Sequence, residues 1–164
     1  MIFKNLGNNY LRNLIIIFLI FLADRLSKIY VIYLNKLNHD SEIFLSKFLN
    51  IRLYWNEGIA FGLLSFDKEY LYNSLTIIIF LVILVIYLMA IKNKGMKKYF
   101  FLMILGGAIG NFYDRVIYKA VPDFIDFHVG NYHWFIFNIA DIFITLGVIF
   151  MIFSEFFSTT NNNE

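Results

Sequence analysis

Four stretches of this chain are apolar for nearly twenty residues or more, and polar residues interrupt them at only a few positions. The stretches cover about 14–34, 71–91, 99–117 and 136–156. A helix crossing the hydrocarbon core needs roughly 20 mostly apolar residues at about 1.5 Å rise each, so the pattern predicts four membrane spans. Residues 50–56, Asn-Ile-Arg-Leu-Tyr-Trp-Asn, alternate instead, with Ile51, Leu53 and Trp55 on one face, which predicts a short strand. Asn56-Glu57-Gly58 then marks a turn, and apolar Ile59 to Phe66 fits a short interfacial helix. Pro122 fixes its own φ and pushes Val121 towards an extended backbone. No internal repeat is visible, and residues 158–164 read as a disordered polar tail.

Basic residues orient the spans. Lys92, Lys94, Lys97 and Lys98 crowd the connection between spans two and three with no acid among them, which predicts a cytoplasmic turn. Lys4 and Arg12 agree. Both termini are then cytoplasmic, and 35–70 and 116–135 face outside. The first span is too long for a signal-peptide core and lacks a small-residue cleavage site, so it reads as a retained anchor.

Composition adds little beyond this: 60% hydrophobic and 20% aromatic residues in 164 suit one polytopic membrane domain spanning 1–164. A net charge of +2 argues against nucleic acid. The absence of cysteine excludes a disulfide framework and a thiol nucleophile.

The candidate chemistry lies in the interruptions. Asp24 sits in the middle of the first apolar run, Asn111, Asp114 and Arg115 end the third, Asn138 and Asp141 open the fourth, and Asp123 lies between those last two. Ionisable groups inside a bilayer cost about 2.5–3.5 kcal/mol each on insertion scales and are functional candidates for that reason. Plainer readings stand beside this one. Asp24 and Lys28, at i and i+4, suit a structural ion pair. Asn138 with Asp141 suits a helix N-cap and its capping box. Gly106 and Gly110 suit close helix packing better than a nucleotide loop, since no strand precedes them. His39, His128 and His133 lack a zinc-protease spacing, so no metal site is expected, and the adjacent Ser27-Lys28 and Ser46-Lys47 pairs do not suit a dyad. Asp123 has no such plain explanation. Two aspartates held close share one proton and can activate water as base and acid. A proton-coupled transporter is the first rival, weakened by acids that gather at one interface. A non-enzymatic scaffold is the second.

Five blocks in register resemble the lipoprotein signal peptidases, the type II signal peptidase family of bacteria. They are Ala23-Asp24-Arg-Leu-Ser-Lys28, Asn56-Glu-Gly58-Ile-Ala60-Phe61, Gly106-Gly-Ala-Ile-Gly110-Asn111-Phe-Tyr-Asp114-Arg115, Val121-Pro-Asp123-Phe-Ile125 and Phe137-Asn138-Ile-Ala140-Asp141. The resemblance covers about 14–156. It implies an all-α membrane protein with four transmembrane helices, a small extracytoplasmic β-cradle and a short interfacial helix. It implies an aspartyl endopeptidase of the bacterial cytoplasmic (inner) membrane, active at the outer face, that removes signal peptides from prolipoproteins just before the diacylglyceryl-modified cysteine. It implies Asp123 and Asp141 as the catalytic pair, with Asp24, Lys28, Asn56, Gly58, Asn111, Arg115, Asn138 and Ala140 supporting it or contacting substrate. No cofactor is implied, membrane lipid is, and so is sensitivity to globomycin-type cyclic peptides. Pro122 and Glu57 depart from the commonest family pattern without removing a functional group.

Overall fold

The structure, a computed structural model, describes residues 2–37, 43–44, 46–58, 69–130 and 132–160. Four long helices dominate: α1 (Ile2–Leu37), α2 (Glu69–Lys92), α3 (Gly95–Tyr118) and α4 (Ile139–Thr160). Between them lie strands β1 (Ile43–Phe44), β2 (Leu49–Asn56), β3 (Val121–Val129) and β4 (Tyr132–Phe137). They form one antiparallel sheet in the order β1-β2-β3-β4.

Three helical segments, Tyr72–Lys92, Gly95–Tyr118 and Ile139–Phe157, are long and apolar enough to cross a membrane. Helix α1 carries Asp24, Arg25 and Lys28 within its apolar run, and all three are buried. Its outward residues are apolar instead: Leu14, Ile15, Phe18, Leu19, Leu26 and Ile29 are all exposed. Charges inside and hydrocarbon outside invert the arrangement of a protein in water and suit one bathed in lipid.

Several boundaries differ from the sequence reading. Helix α1 runs through the polar residues before Leu14, because hydropathy marks the membrane and not the end of a helix. Ile136 and Phe137, read as the start of span four, belong to β4. The tail expected to be disordered from 158 is still α4 as far as Thr160. The lysine-rich connection is only Asn93 and Lys94, with Gly95 at φ +62 starting α3. The interfacial helix expected over Ile59–Phe66, and His39, lie outside the described residues.

The strand expected over 50–56 is β2, but its alternation breaks between Ile51 and Tyr54, where the pairing with β3 shifts register. Strands β3 and β4 form a hairpin that periodicity did not reveal. Gly130, at φ +60, supplies the positive φ that such a tight turn requires. Pro122 is accommodated because β3 pairs with β4 only from Ile125 onward, leaving Pro122 with a partner strand on one side.

Glycines let the helices close. A Cβ at Gly106 would stand 2.9 Å from Ile20 Cβ, and one at Gly110 would stand 2.6 Å from Asp24 Oδ2. The expected small-residue seam is therefore where α3 meets α1. At Gly107 a Cβ would stand 2.5 Å from the carbonyl oxygen of Ala140, so the first turn of α4 is seated directly on α3.

Candidate active site

Asn138 is the N-cap of α4, and it joins two functions that the sequence left as alternatives. Its side-chain oxygen accepts from the N–H of Asp141 at 3.0 Å, while Asp141 Oδ2 accepts from the N–H of Asn138 at 3.1 Å. This reciprocal pair is the capping box. The same Asn138 side chain donates through Nδ2 to Asp123 Oδ1 at 2.5 Å. One residue thus starts the helix and ties the two aspartates together. The capping reading and the dyad reading are compatible.

Each remaining carboxylate oxygen has an amide of its own. Asn56 Nδ2 donates to Asp123 Oδ2 at 2.9 Å, and Asn111 Nδ2 donates to Asp141 Oδ1 at 2.8 Å. Asn56 is itself held by its oxygen, which accepts from the Gly58 N–H at 2.9 Å. The asparagines come from β2, α3 and the start of α4, so three elements fix the position of one carboxylate pair. Amides suit this work because they donate without adding a charge that would pin both acids in the ionised state.

Asp123 is 2% exposed. Burial, followed by the neighbouring Asp141 charge, raises its pKa from 3.8 to about 7, against the opposing pull of the Asn56 and Asn138 amides. It therefore holds a proton near neutral pH where an ordinary aspartate has lost it.

A second polar layer lies behind the pair. Lys28 Nζ donates to Asp24 at 2.9 Å, Asp114 Oδ2 at 2.7 Å and Asn111 Oδ1 at 2.8 Å. Arg25 reaches Asp114 with both terminal nitrogens and Asp24 with one, at 2.9 Å. Two acids and two bases balance inside a nearly sealed site. Asp24 Oδ1 also accepts from the N–H of Ala140 at 3.1 Å, satisfying a second free donor at the start of α4. Asp24, read with Lys28 as an ion pair in the first apolar run, therefore also sits beside the first turn of α4.

Arg115 supports the pair at one remove. It contacts neither aspartate by a hydrogen bond: Nη2 donates to the Gly58 carbonyl at 3.0 Å and Nη1 to the Asn111 carbonyl at 3.2 Å. It anchors the Asn56–Gly58 turn to α3 and so positions Asn56. Sequence reasoning missed Arg25, although a further charge inside the first apolar run was a visible signal. It also missed Tyr72, whose hydroxyl donates to the Arg115 carbonyl at 3.3 Å from α2 with no local pattern to mark it.

The class this defines is a polytopic membrane protein with an amide-held pair of aspartates at one end of its helices. The family model for signal peptidase (SPase) II matches residues 16–157. Lipoprotein signal peptidase of Pelagibacter ubique is 52% identical over 161 residues, covering 98% of this chain and 96% of that protein. That of Francisella tularensis subsp. novicida is 37% identical, covering 94% and 97%. A solved bacterial membrane enzyme, determined by the in meso method at 2.3 Å resolution, superposes with a TM-score of 0.72 at 31% identity, over 92% of this chain and 90% of that one. The chain belongs to the signal peptidase II family: it is a protease and a multi-pass membrane protein.

Proposed function

We propose that this single polytopic domain removes signal peptides from bacterial prolipoproteins by cutting just before a diacylglyceryl-modified cysteine, with Asp123 and Asp141 as its catalytic residues. The observation that carries this reading is Asn138, which hydrogen-bonds both aspartates at once and so holds them as a pair. One proton is shared, and Asp123 retains it near neutral pH. The ionised carboxylate takes a proton from water as the water oxygen bonds to the scissile carbonyl carbon. The protonated one gives its proton to the carbonyl oxygen. The first carboxyl then gives its proton to the peptide nitrogen while the other carboxylate takes one from a hydroxyl of the tetrahedral intermediate. The C–N bond breaks, C=O re-forms and the pair again holds one proton. No covalent enzyme intermediate and no cofactor is required.

Helix α1 also crosses the membrane as the first of four spans, with Asp24, Lys28, Ala140 and Arg115 keeping the frame and Asn56, Gly58, Asn111 and Asn138 lining the site. The signal peptide lies among the spans while the acyl chains stay in lipid. Each methylene kept out of water contributes about 0.8 kcal/mol, so the two acyl chains hold the precursor in the bilayer beside the site. Globomycin-type cyclic peptides compete for the same place. Purified protein in detergent should cleave a diacylglyceryl-modified precursor on a gel-shift assay and leave the unmodified precursor intact. Equal cleavage of both, or of neither, counts against the proposal.

Orientation follows from opposite ends. Lys97 pairs with Glu155 at 2.6 Å, which puts the lysine-rich turn at the C-terminal end of α4. The aspartates lie at the other end, about 20 Å away along α3 at 1.5 Å per residue. Trp55 and Tyr118 meet edge to face at 5.6 Å near the site, as amphipathic rings do at a membrane–water boundary. With the lysines in the cytoplasm, the site faces outwards and both termini inwards, in the bacterial cytoplasmic membrane. A cysteine placed at Lys119 should react with an impermeant thiol reagent added to intact cells, and one at Lys94 should not. The reverse labelling overturns the orientation.

The raised pKa also sets a pH dependence. Cleavage should fall as pH rises through about 7, because the pair then loses its shared proton. Stability moves the same way. A folded pKa above the unfolded 3.8 favours folding at low pH, and that advantage is lost as pH climbs from 3.8 to about 7. Single-turnover rates measured from pH 5 to 9 check the first expectation. A rate still rising above pH 8 contradicts it.

A further inference from the structure

A second cluster lies on the sheet, apart from the aspartate pair. Asp126 and His128 are two residues apart on β3, so their side chains share a face. His133 joins them from β4 through a bulge. Phe127 pairs with Phe135 but His128 pairs with His133, so Trp134 is an extra residue on β4. Without it, simple pairing would place His133 opposite Val129 and on the other face. The bulge re-aims His133 onto the Asp126 and His128 side.

The result is a carboxylate and two imidazoles that each offer a ligand atom, all within 4.8 Å of one another. The imidazoles stack at 5.4 Å with 27° between their planes, and His133 Nδ1 lies 2.7 Å from Asp126 Oδ2. Two buried polar atoms of this cluster have no hydrogen-bond partner among the described residues: Asp126 Oδ1 and His128 Nδ1. Asp126 is 0% exposed and His128 6%, so water does not readily satisfy them. Unpartnered buried polar atoms are uncommon and call for an explanation such as a bound ion. The His133 side chain is 40% exposed and leaves the cluster open to solvent on one side.

We propose that Asp126, His128 and His133 form a binding site for a divalent transition-metal ion, with Zn²⁺ the best match. Two imidazoles and one carboxylate select zinc-like ions over Ca²⁺ and Mg²⁺, which take oxygen ligands. Zinc with three protein ligands takes water in a fourth position, which the exposed side through His133 provides. Ligands of one tetrahedral zinc stand roughly 3.4 Å apart at bond lengths of about 2.0–2.1 Å, so the cluster closes by up to about 1.4 Å on binding. The ion clips β4 to β3, the strand that carries Asp123 at its other end.

The test uses the full chain in detergent, stripped with EDTA and titrated with Zn²⁺, Co²⁺ or Mg²⁺. Zinc should bind at one equivalent and raise the melting temperature, Mg²⁺ should do neither, and Co²⁺ should give visible absorption of a low-coordinate nitrogen–oxygen site. His133→Ala is the main variant; it leaves the buried Asp126 without its imidazole partner and should melt below the parent in EDTA, so binding is read for each protein against its own metal-free state. It should bind zinc more than about tenfold more weakly, since even the outer partners of a ligand are worth about 10–100-fold. His128→Asn should behave alike and serves as the second variant. Absence of a saturable one-equivalent site in the parent overturns the proposal. So does zinc binding by both variants at the parent's strength.

Discussion

Lys28→Met will accumulate poorly and melt far below the parent, although methionine matches lysine in length and suits the apolar surroundings of α1. The parent buries Lys28 to 1% exposure among Asp24, Asp114 and Asn111. Removing the ammonium leaves two carboxylates to one guanidinium, an unbalanced charge with no water to solvate it. Breaking a buried ion pair by removing one partner costs about 3–5 kcal/mol, against a total stability of about 5–15 kcal/mol for a typical domain. The damage also reaches the site, because Asn111 loses the donor on its oxygen while its nitrogen holds Asp141. Adding Asp114→Asn restores the charge balance, so the double variant should recover part of the loss. Protein level in membranes and melting in detergent measure both effects. Normal accumulation and melting of Lys28→Met would show that the buried network contributes little to the fold.

Asparagine at 123 or 141 will abolish cleavage while the fold survives with a modest loss of stability, because its Nδ2 faces an amide donor that a carboxylate oxygen accepted from. General acid–base loss typically costs about 10²–10⁴ in rate, and residues acting as one unit lose far less than additively when removed together. Asp123→Asn, Asp141→Asn and the double variant should therefore reach nearly the same floor. The capping box makes Asp141→Asn the informative variant. An asparagine oxygen at 141 still accepts from the Asn138 N–H, so the cap survives while the proton chemistry does not. A residue that only capped the helix would tolerate this change almost completely.

The convergence of Asp123, Asp141, Asn111 and Asn138 was legible because span topology alone carries all four to one end of the bundle. What closes the site was less legible. Arg25 meets Asp114 across 89 positions of sequence, and no periodicity couples residues so far apart. Asn56 was visible as a turn residue, yet its contact with Asp123 depends on a register shift in β2 that local alternation does not encode. Strands β3 and β4 were hidden because an apolar stretch beside a membrane reads as the start of a span; this moved the fourth span back to 136. Spacing within the chain did not show where His133 points, because a bulge at Trp134 decides which face it shares. Arg115 was legible as a supporting residue at the end of α3, but its partner, the Gly58 carbonyl, belongs to a turn that only tertiary packing brings near.

The most direct test is single-turnover cleavage of a diacylglyceryl-modified precursor by the parent, Asp123→Asn, Asp141→Asn and the double variant, with precursor binding measured in the same samples. The expected result is undiminished binding in all four and a common loss of at least about 10² in rate for the three variants. A rate near the parent's from either single variant, with binding retained, would show that Asp123 and Asp141 do not act as a catalytic pair.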